Sequence, residues 1–450
     1  MRLLSYKHRP VCIIETIWCH IFLIILVLSV RTISLVILIL SPILRILATL
    51  AGGMWKERCL SDTSLTNIRM NIFKDFNCIS RAKHWFPKAK CHITSMLIPS
   101  ISSTEPVNVH STICQQRDYL KKNEESDKNV LVFIHGFGGS SSSCLLGIEA
   151  FDNVAENFDE LHAVDLPGFG ISPLSPQQQY NLLNKMSCEE ITEMYSNVIK
   201  MYLEKLGPAR ISLIGHSFGG YCCIPVFSDP TVRSSHEVHE NGHNKNINIE
   251  RFVLSNSAGL FPFMGTPNGY KLAVIFKSCI GTMFARALRI SNLTGLFCHC
   301  FTNNDPFWLH YMSLMGDPAN HGGKIIKKFI ALNIVSSGWN LPLMQDFFSS
   351  RVPMAFLHGT KDAITSYAQA CTLASPAWAD IPCIAVEGAG HSPHLGQVSF
   401  SMFGRCMHEA LFSAKMVSSD SLDQKLEDYN KIYLHRRDSP SPTLTAMGTF

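Results

Sequence analysis

The sequence predicts an α/β fold with a mostly parallel central sheet flanked by helices. Short apolar runs of strand length recur along the chain, for example at residues 130–134, 211–214 and 352–357. Each of these runs ends in a glycine-containing turn, and a stretch long enough for a helix follows the last of them. Continuous apolar runs of this kind are typical of strands covered by helices on both faces of a parallel sheet.

The run at residues 130–134 leads into a glycine-rich loop, His135-Gly136-Phe137-Gly138-Gly139. Glycines let a backbone approach a ligand closely because they carry no side chain. We therefore expect the N–H of Phe137 to act as a hydrogen-bond donor toward a bound oxyanion, with Gly136 and Gly138 allowing the approach.

The run at residues 211–214 precedes the pattern Gly215-His216-Ser217-Phe218-Gly219, which a helix-like stretch follows. A serine on such a strand-to-helix turn has a strained backbone that flanking glycines such as Gly215 and Gly219 accommodate. The turn lifts the hydroxyl out of the sheet edge, which is the position of a nucleophile. The N–H of Phe218, at the start of the helix, is the second expected oxyanion donor.

A serine nucleophile needs a general base, and that base needs an acid to orient it. The strand-like run at 352–357 ends near Asp362, and a later one at 381–386 ends near His391. Asp362 is the candidate acid and His391 the candidate base. Taken singly, Asp362 could be a turn or cap residue and His391 a turn histidine. Their register with Ser217 favours a catalytic triad.

Several segments together resemble the α/β-hydrolase superfamily over residues 126 to 410. These segments are the loop at 135–139, the turn at 215–219, Asp165-Leu166-Pro167-Gly168-Phe169-Gly170, the strand-to-turn stretch at 252–259, and Gly390-His391 with Pro393. The resemblance implies acyl transfer to water by Ser217, His391 and Asp362, with no metal and no cofactor. Members with an aspartate nucleophile, the haloalkane dehalogenases and epoxide hydrolases, are disfavoured because this turn carries serine.

Two departures within the family bear on that expectation. Some members take their acid from the end of the preceding strand, where this chain has Ser255-Asn256-Ser257 and no carboxylate. A related acyltransferase-like subgroup carries Asp five positions after its histidine, where this chain has Gly396. The first departure favours Asp362 as the acid, and the second disfavours a transferase.

The N-terminal segment is strongly apolar, with Arg31 and Arg45 as the only charges between Ile21 and Leu50. A helix of that length would run about 45 Å, which exceeds the roughly 30 Å of a hydrocarbon core. We predict an integral membrane anchor, on an endomembrane. A cleaved signal peptide is the alternative. A single span would put the enzyme outside or in a lumen, whereas a hairpin bent near Arg31 or Pro42 would keep it cytosolic, and the slight basic-residue bias does not decide between them.

These observations divide the chain into six parts: a membrane anchor at 1–55, a lead-in with the first strands at 56–125, the first part of the core at 126–259, a helical lid insertion at 260–350, the second part of the core at 351–415, and a disordered tail at 416–450. The insertion is rich in aromatic and apolar residues. A lid of that composition over Ser217, together with an anchor, indicates a substrate with an acyl chain.

Composition narrows the remaining possibilities. The net charge of +4 is mild and predicts no nucleic-acid partner. The 16 cysteines are scattered and show no disulfide framework. The histidines of 236–243 are interpreted as part of a solvated loop rather than a zinc site, and Cys298-His299-Cys300 lacks the spacing of zinc ligands.

The sequence therefore predicts a membrane-anchored serine hydrolase that cleaves carboxylic esters, with a lipid ester such as monoacylglycerol or lysophospholipid as substrate. An acyltransferase, a thioesterase or a carbon-carbon bond hydrolase could use the same triad. A non-catalytic hydrolase-like protein that binds lipids or serves as a scaffold is the alternative from another class. The substrate headgroup, the acyl length, the oligomeric state and any protein partners do not follow from the sequence.

Overall fold

A computed structural model of the chain describes the central domain in most of its length. The described residues are 89–98, 106–116, 128–136, 139–141, 156–170, 174–229, 232–233, 247–258, 341–362, 365–395 and 398–418, with positions 32, 36, 144, 151, 154, 172, 424, 425 and 427. Outside these residues lie all but two positions of the predicted membrane anchor, most of the predicted lid, the histidines of 236–243, Cys298-His299-Cys300 and nearly all of the predicted tail.

Within that part of the chain, nine strands form one sheet. The strands are β1 Ala89–Ile98, β2 Val107–Gln116, β3 Lys128–Ile134, β4 Glu160–Asp165, β5 Ala209–His216, β6 Val232–Arg233, β7 Ile247–Ser255, β8 Met354–Gly359 and β9 Cys383–Val386. Their order is β1-β2-β4-β3-β5-β7-β8-β9, and the short β6 pairs with β7. The predicted mostly parallel sheet is confirmed.

The strand directions place the ends of several strands together. From β4 through β3, β5, β7, β8 and β9, every pairing is parallel, whereas β1–β2 and β2–β4 are antiparallel. Parallel strands end at the same edge of a sheet, where the side chains that follow them can meet. The turns after β3, β5, β7 and β8 therefore lie at one edge.

Helices cover both faces of this sheet. The described helices are α1 Pro176–Asn184, α2 Cys188–Glu204, α3 Phe218–Ser228, α4 Leu341–Phe348, α5 Tyr367–Ala374 and α6 Phe400–Ser413. Four of them begin at a serine whose side chain accepts a backbone N–H of the first turn, namely Ser175, Ser187, Ser366 and Ser399. Such caps satisfy donors that the helix itself cannot pair, so these serines fix where the helices start.

The core consists of two apolar clusters, one on each face of the sheet. In β3 the alternation is direct: Val130, Val132 and Ile134 point into one cluster, while Leu131 and Phe133 point into the other. The first cluster includes buried side chains of α2, α3, α4 and α5, and the second includes those of α6. A strand buried on both faces must be apolar throughout, which explains the uninterrupted run that predicted it.

Helix α4 falls within the range 260–350 that the sequence assigned to the lid, but it belongs structurally to the core. Met344, Phe347 and Phe348 are almost completely buried and join the first cluster. The sequence boundary was placed at the start of the β8 run because apolar helical residues look alike in a lid and in a core.

Among the described residues no helix is long and apolar enough to cross a membrane.

Candidate active site

Ser217 lies between β5 and α3 in a backbone conformation that residues other than glycine rarely adopt, with φ 50° and ψ −115°. Neighbouring backbone groups hold it there. The N–H of Ser217 donates to the carbonyl oxygen of Ser255 at 2.9 Å, and its own carbonyl oxygen accepts from the N–H groups of Tyr221 at 3.2 Å and Ala258 at 3.1 Å. Such strain persists only where the surroundings fix it, and it is typical of functional sites.

The glycines of the turn are required by close backbone packing. A Cβ on Gly219 would lie 2.4 Å from the carbonyl oxygen of Ile134 at the end of β3, and one on Gly215 would lie 2.6 Å from the Cα of Gly220. A Cβ on Gly136, in the loop after β3, would lie 2.7 Å from the Cβ of Ser217. The glycine-rich loop therefore passes directly beside the serine.

Ser217, His391 and Asp362 form a continuous hydrogen-bonded row. Ser217 Oγ lies 2.9 Å from His391 Nε2, and His391 Nδ1 lies 2.9 Å from Asp362 Oδ2. A carboxylate only accepts, so Nδ1–H donates to Asp362 and Nε2 is left to accept the serine proton. All three residues are buried at the edge of the sheet, with exposures of 7% for Ser217, 8% for Asp362 and 7% for His391.

Three further side chains surround the Asp362 carboxylate. Asn256 Nδ2 donates to Oδ2 at 2.7 Å, and the Thr365 hydroxyl donates to Oδ2 at 2.6 Å. His358 Nε2 lies 3.4 Å from the same oxygen, and the N–H of Thr365 donates to Oδ1 at 3.0 Å. Burial raises the pKa of Asp362, but the electrostatic interaction with His391 and hydrogen bonds from His358 and His391 outweigh it and hold the pKa well below its ordinary value.

His216, which precedes the serine, supports the backbone of His391. Its Nε2–H donates to the carbonyl oxygen of His391 at 2.7 Å, and its ring packs on those of His391 and His394, with centroids 5.2 and 4.5 Å away. Burial, and next the electrostatic interaction with His391, lower the pKa of His216 to about 3. The imidazole is therefore neutral and keeps the Nε2–H that makes this bond.

The expected oxyanion donors are described in part. Helix α3 begins at Phe218, so the N–H of that residue belongs to the positive end of the helix dipole. The other donor, Phe137, and Gly138 lie outside the described residues. The start of their loop is fixed by His135, whose Nδ1–H donates to the carbonyl oxygen of Gly136 at 2.7 Å and whose Nε2 accepts the N–H of Leu166 at 3.1 Å.

The structure thus brings together the residues that the sequence singled out and that it describes: Ser217, Asp362, His391, Phe218, Gly136, Gly215 and Gly219. Sequence reasoning missed the supporting roles of His216, Asn256, His358 and Thr365. For Asn256 a signal was present, because it stands at the end of β7, the strand next to the one that ends near Asp362. From the sequence, this position was considered only for its lack of a carboxylate, and no role was assigned to the amide of Asn256.

Comparison with known proteins gives a family match over the same region. A sequence model of the alpha/beta hydrolase family matches residues 131–398. That range covers more than half of the chain and includes the whole row from Ser217 to His391.

Two relatives match parts of the sequence. The chain is 22% identical over 329 residues to 1-acylglycerol-3-phosphate O-acyltransferase ICT1 of Saccharomyces cerevisiae, a match that covers 58% of this chain and 77% of that protein. It is 36% identical over 94 residues to the abhydrolase domain-containing protein abhd-5.2 of Caenorhabditis elegans, covering 21% of this chain and 19% of that protein. The second match therefore concerns a short segment alone.

Solved structures with low sequence identity also resemble the chain. The esterase EaEST from Exiguobacterium antarcticum is 15% identical with a TM-score of 0.46, and the match covers 71% of this chain and 100% of that one. Carboxylesterase CesB from Bacillus subtilis is 17% identical with a TM-score of 0.44, covering 75% of this chain and 97% of that one.

Proposed function

The chain belongs to the alpha/beta hydrolase family, and from that premise we propose that it is a serine hydrolase that cleaves carboxylic esters. The observation that carries the proposal is the row in which Ser217 Oγ lies 2.9 Å from His391 Nε2 and His391 Nδ1 lies 2.9 Å from Asp362 Oδ2. These are the contacts that a nucleophile, its general base and the acid that orients the base require.

In this mechanism the Ser217 oxygen attacks the ester carbonyl carbon while its proton passes to His391 Nε2. The N–H groups of Phe218 and Phe137 stabilise the oxyanion of the tetrahedral intermediate, each on the order of 3 kcal/mol. His391 then gives its proton to the leaving alcohol, and an acyl group remains on Ser217. Water, activated by the same imidazole, removes that acyl group in the second half of the reaction.

Asp362 acts by remaining ionised throughout this cycle. Its carboxylate fixes the tautomer of His391 that leaves Nε2 free to accept a proton, and it stabilises the imidazolium that forms. The hydrogen bonds from Asn256 and Thr365 stabilise the charged form of the acid. The Asp362 carboxylate therefore orients His391 in the ground state and stabilises its positive charge in the transition state.

For the substrate we propose a lipid ester with a single acyl chain, of the monoacylglycerol or lysophospholipid type. Two features of the sequence support this choice: the aromatic and apolar composition of residues 260–350 and the apolar N-terminal segment of residues 21–50. The same N-terminal segment supports the proposal that the enzyme is anchored in an endomembrane. The enzyme would then act on lipids of the membrane that holds it.

Acyl transfer to another lipid is the second candidate. It is favoured by the Saccharomyces cerevisiae relative, which is named a 1-acylglycerol-3-phosphate O-acyltransferase. Both reactions pass through an acyl group on Ser217, and they differ only in whether water or a lipid hydroxyl removes it. Position 396, five residues after His391, is Gly where the acyltransferase-like subgroup carries Asp, which favours water as the acceptor of the acyl group.

The first experiment tests the nucleophile. The full-length chain in detergent is treated with a fluorescent fluorophosphonate, which reacts with an activated serine. We expect labelling of the wild type and of Ser349→Ala, a control at an exposed serine, and no labelling of Ser217→Ala or His391→Ala. Labelling of folded Ser217→Ala at the wild-type level would exclude this residue as the nucleophile.

The second experiment identifies the reaction. The wild type and Ser217→Ala are incubated with radiolabelled monoacylglycerol or lysophospholipid, with and without lysophosphatidic acid as an acceptor. Release of free fatty acid supports hydrolysis, whereas label in the phosphatidic acid fraction supports transfer. A thioester or a carbon-carbon bond substrate is tested in the same way. A folded protein that binds these lipids and converts none of them would indicate a non-catalytic role.

A further inference from the structure

Two cysteines outside the catalytic row lie in direct contact. Cys371 is in α5 and Cys383 is the first residue of β9, and their sulfur atoms are 3.5 Å apart. Both side chains are half-buried, so small reagents can reach them. Among the described cysteines no disulfide is present.

This pair spans the two segments that carry the acid and the base. Helix α5 begins two residues after Thr365, whose hydroxyl and N–H both donate to Asp362. Strand β9 ends shortly before His391. A link between the two sulfurs would therefore join the segment that follows Asp362 in the chain to the segment that precedes His391.

We propose that Cys371 and Cys383 form a reversible oxidative modification site, which closes to a disulfide on reaction with a small disulfide such as oxidised glutathione. A disulfide bond is about 2.05 Å long, so the sulfurs approach by about 1.5 Å from a contact that is already made. Thiols held next to each other in this way trap the oxidised form within one molecule, because the second thiol is present at high effective concentration.

The exchange balances without any further reactant. Cys371 loses a proton to solvent, and its thiolate attacks one sulfur of oxidised glutathione, forming a mixed disulfide and releasing one glutathione thiolate. Cys383 then loses its proton, attacks the Cys371 sulfur and releases the second glutathione. The same exchange can start at Cys383, because each sulfur is in contact with the other.

Other described cysteines are placed differently. Cys144, Cys222 and Cys223 are fully buried, which shields them from reagents in solution. Cys406 is half-buried like the pair, but its Sγ donates to the carbonyl oxygen of Ala385 at 3.6 Å. Cys406 is therefore the control cysteine: its exposure is similar to that of the pair, but its sulfur contacts a carbonyl oxygen instead of another sulfur.

We expect the crosslink to stabilise the fold and to leave the catalytic row in place, because the sulfurs are already in contact in this arrangement. A crosslink restricts the unfolded chain, which should raise the melting temperature by several degrees. The expectation for activity rests on the proposed function, whereas formation of the disulfide does not.

The test uses the full-length protein incubated with oxidised glutathione, followed by alkylation of the remaining thiols, proteolysis and mass spectrometry. We expect a peptide pair joined through Cys371 and Cys383, about 2 Da lighter than the sum of the two reduced peptides. It should revert with dithiothreitol, be absent from Cys371→Ser and Cys383→Ser, and persist in Cys406→Ser. Alkylation of both cysteines in the treated protein, or glutathione retained on either without a crosslink, would overturn the proposal.

A second readout separates this site from the proposed enzymatic function. The oxidised wild type should melt several degrees above its reduced form, with no such difference in Cys383→Ser. Ester hydrolysis, where present, should change by less than about twofold on oxidation. A crosslink without a thermal shift would overturn its stabilising role, whereas absence of hydrolysis in every form would bear on the catalytic proposal alone.

Discussion

The Nε2–H of His216 donates to the carbonyl oxygen of His391, with the two atoms 2.7 Å apart. His216 comes from the turn that presents the nucleophile, and His391 from the loop after β9. The bond therefore joins the two catalytic segments by a contact that is separate from the one between Ser217 and His391. Since His216 stays neutral over the working range of pH, the bond does not depend on titration.

We predict that His216→Phe lowers kcat, because it keeps a ring against His391 and His394 but removes the donor. Leaving a buried carbonyl oxygen without its partner costs on the order of 1–3 kcal/mol. If that cost falls on the position of the base, kcat decreases by roughly 10-fold or more. Steady-state ester hydrolysis measures kcat and KM, and we expect KM to change little.

His216→Gln is the control, since its side-chain N–H can replace Nε2–H. We expect it to recover most of the activity lost in the phenylalanine variant. Equal kcat values for the two variants, with equal melting temperatures, would contradict a role for the hydrogen bond.

We expect that the acid can be moved from the end of β8 to the end of the neighbouring strand β7. Asp362→Asn should lower kcat roughly 10⁴-fold, as in other Ser-His-Asp triads, because the tautomer of the base is no longer fixed. Asn256 Nδ2 lies 2.7 Å from Asp362 Oδ2 and 3.3 Å from the carbonyl oxygen of Gly390. We predict that adding Asn256→Asp to Asp362→Asn restores at least about 10-fold of the activity, because a carboxylate returns next to the position of Oδ2, the atom that binds His391.

The single change Asn256→Asp is the control for this exchange. It places a second carboxylate beside Asp362, so the two charges repel and one of the two pKa values rises. We expect the acid limb of its pH–kcat profile to move to higher pH. If the double variant is no more active than Asp362→Asn, a carboxylate on β7 does not serve the base.

Gly136→Ala should impair the nucleophile. Its Cβ would lie 2.7 Å from the Cβ of Ser217 and 2.8 Å from His216 Nδ1, so the serine or the loop must shift. A displacement of the serine that costs about 1.4 kcal/mol in the transition state lowers kcat about 10-fold. Gly207→Ala is the control, because the φ of 72° at Gly207 also favours glycine, but a Cβ there would meet no heavy atom within 4 Å beyond its chain neighbours. It should lose stability and keep its kcat, and equal kcat losses would argue against a local effect.

Glu160 should make part of the stability dependent on acid. Its carboxylate accepts from Lys128 Nζ at 2.6 Å, His162 Nε2 at 2.8 Å and Gln115 Nε2 at 2.6 Å. Burial raises the pKa of Glu160, but these hydrogen bonds lower it to about 2. In the unfolded chain the pKa of a glutamate is about 4.3. Because the pKa of Glu160 is lower in the folded state, its carboxylate stabilises the fold at pH values above the unfolded pKa, and this contribution is lost as pH falls toward 2.

We predict that Glu160→Gln is less stable than the wild type by roughly 1–3 kcal/mol near neutral pH. The difference should shrink as pH falls from about 4 toward 2, because the wild-type carboxylate becomes protonated. Urea unfolding at several pH values measures the free energy of unfolding of both proteins. A constant difference over this range would mean that the glutamate charge contributes nothing.

The sequence was sufficient for the strands that are buried on both faces and for the residues that end them. Strands β3, β5 and β8 appear as apolar runs because helices cover both of their sides, and Ser217, Asp362 and His391 follow from the turns after such runs. Helix α4 was misplaced because burial against α3 depends on tertiary packing rather than on periodicity. Asn256 and Thr365 were missed because a short polar residue in a turn shows no pattern that distinguishes a ligand of the acid from an ordinary turn residue.

The catalytic row joins residues that lie 174 positions apart in the chain, from Ser217 to His391. During synthesis the nucleophile leaves the ribosome first, then its acid, and the base emerges late. The turn around Ser217 can fold against β3 and still be inert, since no imidazole is available to take its proton. A product truncated anywhere before His391 would consequently lack the base and carry a serine that cannot be activated.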